Sequence, residues 1–271
     1  MKSKWLAAPF LFWMAVFIII PVFLVLYYAL TTTSPDGNVG FTMANMQVAL
    51  SSDNLRTIWK SLRLAAVSTV ICFVLGYPVA YILARRGAEK RGNLLFLFAM
   101  PMWMNFLMRT YAWLTLLENN GVINRILGLV GLPAVKILYT ETAVLLGMVY
   151  NFLPFMILPI YTVLIKIDKS LYEAAQDLGA NPWRTFMRVV FPLSVPGIVS
   201  GVTMVFMPAV TTFVVSTLLG GGHHKLIGDL IEQRFLYMDW NVGSALSIML
   251  MLVIMLSMAV FTMVDREKEA R

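Results

Sequence analysis

The chain has 271 residues, of which 59% are hydrophobic and 13% charged, with 21 Lys and Arg against 14 Asp and Glu for a net charge of +7. A mean hydropathy of +0.78 leaves too little polar surface for a water-soluble domain, so composition excludes a soluble globular protein and indicates a polytopic membrane protein. The single cysteine, Cys72, lies inside an apolar run, which excludes a disulfide framework and a cysteine metal site.

In chain order, six apolar stretches reach the roughly 20 residues that cross a bilayer core of about 30 Å at 1.5 Å per residue. They run from about Leu6 to Leu30, Leu62 to Ala84, Leu94 to Leu117, Thr142 to Ile165, Pro196 to Leu219 and Val242 to Val264. The runs are continuous and do not alternate in polarity, so helices are expected rather than a barrel. The first has a basic start, but its apolar core is too long for a signal peptide and no A-x-A site follows, so an uncleaved span is expected. No Ser/Pro/Gly-rich linker divides the chain, and residues 1–271 read as one transmembrane domain.

Placing both termini on one side gathers 13 of the 21 Lys and Arg there, 7 on the other side, and leaves Arg109 within a span. The positive-inside rule then makes both termini cytoplasmic in a multi-pass cell-membrane protein. The positive charge follows from topology and is not read as a nucleic-acid footprint. The polar segment between spans four and five, residues of about 166–195, faces the cytosol. Ser170 followed by Glu173 has the spacing of a capping box, predicting a helix over about Leu171 to Leu178. Gly179 can end it in the left-handed conformation, Asn181 can cap a second helix, and Pro182 suits its first turn. The first helix has Leu171, Ala174, Ala175 and Leu178 at helical spacing, with Glu173 and Asp177 left for polar contacts. Spacing alone leaves open a helix lying on lipid headgroups.

Glu173-Ala174-Ala175, three residues, Gly179, nine residues, Val189 and then Pro192 resemble the E-A-A-x3-G-x9-I-x-L-P loop of ABC importer permeases, with Val189 for Ile and Phe191 for Leu. The resemblance implies a type I importer permease fold, an all-α membrane protein of six transmembrane helices with a cytoplasmic two-helix coupling loop. It makes Glu173, Ala174, Ala175, Asp177, Leu178 and Gly179 the surface that sits in a groove of an ATPase. The chain has no G-x-x-x-x-G-K-[ST], so it is not expected to be an enzyme or to bind a cofactor of its own. ATP and Mg belong to two partner ATP-binding subunits. A second related permease, in a heterodimer, and an external substrate-binding protein complete the implied set of partners, with the lipid bilayer around them.

The stretches Pro101 to Asn124, Ser216 to Gly222, Leu226 to Phe235 and Asp239 to Ser247 are similar to permeases of spermidine/putrescine importers, which implies polyamine uptake. Permeases for iron, thiamine or phosphonate share parts of the same scaffold and are the alternative. A polycation is passed along carboxylates and aromatic faces, so Glu118, Asp229, Glu232 and Asp239 are candidates for charge, and Trp103, Tyr111 and Trp113 for aromatic surface. Each has a plain alternative as a solvated loop or interfacial residue. Arg109, an intramembrane charge of the wrong sign for a polyamine ligand, is expected to pair with Glu118 or with a carboxylate of the sister permease at a gate, or else to snorkel. Gly197 and Gly201, followed by Pro208 and Thr211, mark span five as close-packed or hinged, and the resemblance has it lining the path. The adjacent His223 and His224 have no third metal ligand nearby. Residues Thr31 to Ser61 read as an external loop that meets the binding protein.

A stand-alone secondary carrier would call for inverted repeats, broken helices or several intramembrane acids. An intramembrane protease would need a serine placed to use the histidines. Neither pattern is present in the sequence.

Overall fold

The computed structural model describes residues 8–33, 38–86 and 88–269. The first apolar run forms α1 (Ala8–Met14) and α2 (Ile20–Leu30), joined by a π-helical turn (Ala15–Ile19). A two-stranded hairpin, β1 (Thr31–Thr33) with β2 (Val39–Phe41), and a short α3 (Ala44–Ala49) lead into α4 (Ser52–Arg85). The segment expected as a long external loop is therefore shorter, because α4 begins ten residues before the apolar run does. Charged and polar residues can occupy helix turns beyond the bilayer that a hydropathy count does not register.

The third apolar run is not one helix. It forms α5 (Ala88–Trp103) and α6 (Phe106–Leu117), broken at Asn105, whose side-chain oxygen accepts the Leu107 and Met108 N–H groups at 2.8 and 3.4 Å. That cap satisfies a new helix start inside an apolar stretch. α7 (Val122–Leu129) and α8 (Glu141–Leu164) follow, and Thr140 caps α8 through the Ala143 N–H. α9 (Lys169–Asp177) and α10 (Pro182–Thr185) form the loop, and α10 continues through a π-helical turn (Phe186–Val190) into α11 (Phe191–Thr211). The expected fifth span, Pro196 to Leu219, is likewise divided: α11 ends at Thr211, Thr212 is extended, and α12 (Val214–Gly220) starts anew. α13 (Ile227–Leu236) and α14 (Trp240–Glu269) close the chain. Among the described residues five helices are long and apolar enough to cross a membrane, since α5 and α6 are each too short to count alone.

α4, α8 and α11 pack on one another as the core, burying Leu64, Ala65, Cys72 and Ala80 against Met148, Met156, Ile157, Ile160, Val205 and Ala209. Small residues set the spacing. A Cβ on Gly197 would lie 2.9 Å from the Pro159 carbonyl oxygen, and one on Gly201 would lie 2.8 Å from Met156 Sδ. The pair is thus a close-packing surface of α11 on α8. Around this core the apolar side chains face outward: Phe10, Phe12, Phe17 and Phe23 of the first run are exposed, as are Leu252, Met255 and Leu256 of α14. In water this surface would be untenable, whereas hydrocarbon chains cover it without cost.

Candidate coupling loop and path residues

At one end of the bundle α9 and α10 stand beyond the ends of α4 and α8. The cap of α9 differs from the expected Ser170–Glu173 box. The Asp168 carboxylate accepts the Ser170 N–H at 3.0 Å, so the helix starts at Lys169 and Ser170 lies within its first turn. The hydrogen bonds that Asp168 accepts from Ser170 hold its carboxyl below the usual value, because they favour the charged form.

The other end of α9 closes as a Schellman motif: the Gly179 N–H donates to Gln176 O at 2.8 Å, the Ala180 N–H to Ala175 O at 3.0 Å, and Gly179 stands at φ +74°. Asn181 then accepts the Arg184 N–H at 2.8 Å, with Pro182 in the first turn of α10.

The loop shows apolar and acidic side chains outward. Leu178 is 89% and Trp183 64% exposed; Glu173, Ala174, Asp177 and Gly179 are exposed and Ala175 is half-buried. Its inner side is fastened to the core. Arg85 of α4 lies over the rings of Tyr81 at 4.9 Å and Tyr172 of α9 at 5.5 Å. Phe186, between α10 and α11, meets Tyr77 and Tyr81 edge-on at 5.8 and 5.2 Å and stacks with Trp183. The Tyr77 and Ser194 hydroxyls are 2.9 Å apart. Packed rings thereby join the loop to α4 and α11.

At the opposite end, the structure sets Thr211 against the start of α13, the helix that carries Asp229, but does not bring the remaining path candidates there. A Cβ on Gly228 would lie 2.6 Å from Thr211 O, so glycine lets the start of α13 abut the end of α11. Asp229 is buried, accepting the Leu226 N–H and the Thr217 hydroxyl, each at 2.6 Å. Burial pushes its pKa up, and Glu232 is also raised, by its own desolvation and then by the Asp229 charge. The two carboxylates share a cavity of about 260 Å3 with Lys225 and Tyr237, while Glu232 and Thr211 also line an apolar cavity of about 660 Å3 with Phe213, Ile231 and Met255. Pro208 is half-buried one turn before the end of α11. Asp239 is held by Arg234 at 2.9 Å and receives the Val242 N–H, so it caps α14.

Trp103 on α5, Tyr111 on α6 and Glu118 just past the end of α6 lie away from these cavities. Trp103 is 78% exposed and stacks edge-on with Phe96, and Trp113 does so with Tyr150. Arg109 neither pairs with Glu118 nor snorkels. It is 7% exposed, its Nε and Nη1 have no hydrogen-bond partner, and among the described residues it makes no ion pair. Residue-type reasoning missed Glu141, which receives Arg63 at 2.6 Å, Lys60 at 3.4 Å and His224 Nδ1 at 3.8 Å. This cluster joins α4, α8 and the glycine-rich turn; the acidic residue after the Thr140 cap was its only sequence signal.

Outward apolar helices around a tight core, with a capped two-helix loop at one end, define a helical membrane permease. Residues 76–269 match the family described as binding-protein-dependent transport system inner membrane component, and the chain belongs to that family. It is similar to the spermidine/putrescine transport system permease protein PotB of Escherichia coli strain K12, 38% identical over 94% of each chain, and to the protein of that name from Haemophilus influenzae, 38% identical over 92% of this chain and 89% of the relative. The inner membrane ABC transporter permease protein YdcU of Escherichia coli is 32% identical over 71% of this chain and 66% of its own. A chain of a bacterial alginate ABC transporter, solved in complex with an alginate pentasaccharide-bound periplasmic protein, superposes with a TM-score of 0.82 at 19% identity, covering 98% of this chain and 95% of that one. The likeness establishes the fold. Helix breaks of the kind expected of a secondary carrier therefore occur in an importer permease, and they do not separate the two classes.

Proposed function

We propose that the chain is the permease subunit of an ATP-driven importer of polyamines such as spermidine and putrescine. The observation that carries the coupling half is the loop, which offers Glu173, Ala174, Ala175, Asp177, Leu178 and Gly179 to a partner while Arg85 and Phe186 tie it to α4 and α11. The polyamine half rests on 38% identity to permeases of that substrate over nearly the whole length, and on the paired carboxylates Asp229 and Glu232 beside Tyr237. Two ATP-binding subunits holding ATP and Mg supply the energy, a second related permease completes the path, and an external binding protein delivers the solute. The loop and both termini are assigned to the cytosol by the Lys and Arg distribution.

The test is uptake of radiolabelled spermidine and putrescine by cells expressing the chain with its partner subunits, against Ala175→Asp. Uptake by the wild type and loss in the variant, at equal abundance, is the expected result. A wild-type complex that hydrolyses ATP but takes up neither polyamine refutes the substrate, and unimpaired uptake by Ala175→Asp refutes the loop's role.

A further inference from the structure

Between the loop-side ends of α4 and α8 and the flank of α9 lies a cavity of about 740 Å3, within the ~300–1,000 Å3 of small-ligand sites. Its lining divides by chemistry. Arg85, Arg86 and Lys169 bring three positive charges, against Glu173 as the single acidic side chain among the described lining residues. Tyr81 and Tyr172 add hydroxyl groups, and Leu164 and Ile165, the end of the α8 apolar run, complete the wall on the bundle side. Stacking between the two tyrosine rings fixes the Arg85 guanidinium at the cavity, and among the described residues neither Arg85 nor Lys169 makes an ion pair.

Arg85 and Lys169, which make no ion pair among the described residues, repel one another across the cavity, with Glu173 the single acidic side chain against them, and a bound anion relieves that repulsion. Where a helix bundle leaves the bilayer, the abundant anion is a phospholipid phosphate, and basic pockets between spanning helices on the cytoplasmic side suit such headgroups. We propose that this cavity binds the phosphate headgroup of an anionic phospholipid. Arg85, Arg86 and Lys169 hold the phosphate, the tyrosine hydroxyls donate to its oxygens, and the acyl chains leave past Leu164 and Ile165. Because α9 forms one wall, an occupied site tethers the loop to the membrane surface. The site is independent of which solute is moved; its placement in the cytosolic leaflet rests on the orientation proposed above.

The test measures lipid retained by the assembled transporter in native mass spectrometry, after exchange into mixed micelles of phosphatidylglycerol and phosphatidylcholine. The wild type should retain phosphatidylglycerol selectively. Arg86→Gln with Lys169→Gln should reduce that preference about 30-fold, since each basic side chain near an anionic surface is worth about fivefold. Arg86→Lys with Lys169→Arg should preserve it, which separates lost charge from lost folding. No preference in the wild type, or an unchanged one in the glutamine variant, overturns the proposal. Inorganic phosphate, compared with chloride at equal ionic strength, separates the sources: phosphate that displaces the lipid reveals a site for a soluble phosphate and overturns the lipid assignment, while lipid that stays bound supports it. Labelling of Leu178→Cys reads the orientation separately, so the two claims can fail independently.

Discussion

Gly179 illustrates how local chemistry survives in sequence. Its φ of +74° is free to glycine but costs a β-branched residue about 1–2 kcal/mol. Nothing lies within 4 Å of where its Cβ would be, so Gly179→Val should insert and fold yet misplace α10 against α9. Transport and ATPase binding should fall together at equal abundance. Asn181 and Pro182 were readable for the same reason, since caps depend on a few neighbouring atoms. Asp168 was not, because two candidate caps two residues apart, Asp168 and Ser170, compete and only the backbone decides between them. Arg109 makes a different point. Its Nε and Nη1 are orphaned in a buried site, and the Phe106 ring, 5.8 Å from the guanidinium carbon, offsets only part of the desolvation cost. Arg109→Met should therefore stabilise the isolated chain in detergent by about 1–4 kcal/mol. If a carboxylate of the second permease meets the guanidinium in the assembled transporter, the same variant should abolish transport there. Asp229 yields a pH prediction. Its pKa is raised in the fold, so the folded chain keeps the proton more tightly than the unfolded one. Stability should decline as pH rises from the unfolded value near 3.8 through the folded value and level off above it. Thermal melts of wild type minus Asp229→Asn, taken across that range, should show this slope.

At the level of elements, apolar run length located most of the spanning helices but not their interruptions. Hydropathy averages over a window, and a single Asn105 in a run of Leu, Met and Phe hardly moves the average, although its side chain ends one helix and starts another. The division of the fifth run at Thr212 was equally hidden; its one sequence signal was Pro208, a turn earlier. The start of α4 was missed for the opposite reason, as its first turns are polar and lie outside the apolar count. Helix spacing was better foreshadowed, through Gly197 and Gly201. Gly197→Val, whose side chain would strike the backbone of Pro159, should lower stability by about 1–3 kcal/mol. Gly128→Ala, with nothing within 4 Å, should gain about 0.5–1 kcal/mol from better helix propensity. Denaturation of both in the same detergent checks the contrast.

For the whole molecule, the membrane character was legible from composition and the length of the apolar runs, and the family from one spaced motif, because neither depends on contacts between distant segments. The meeting of Thr211 with Gly228 and Glu232 of α13, and the grip of Arg85 on the loop, were not, because they join segments far apart in the chain. Orientation leads to a direct measurement. Cys72 is buried, so a single added thiol can be labelled selectively. Leu178→Cys should react with an impermeant maleimide only after the cytosolic face is opened, and Asn120→Cys should react from outside in intact cells. α10, the π-helical turn and α11 run without a break from Pro182 to Thr211, 30 residues or about 45 Å at 1.5 Å each. Such a rod is a lever whose short arm is the loop. A tilt of about 10° imposed there swings the tip at Thr211 sideways by roughly 8 Å over that length, more than the width of a side chain, so a small rotation at the loop becomes a large displacement at the far end of the helix.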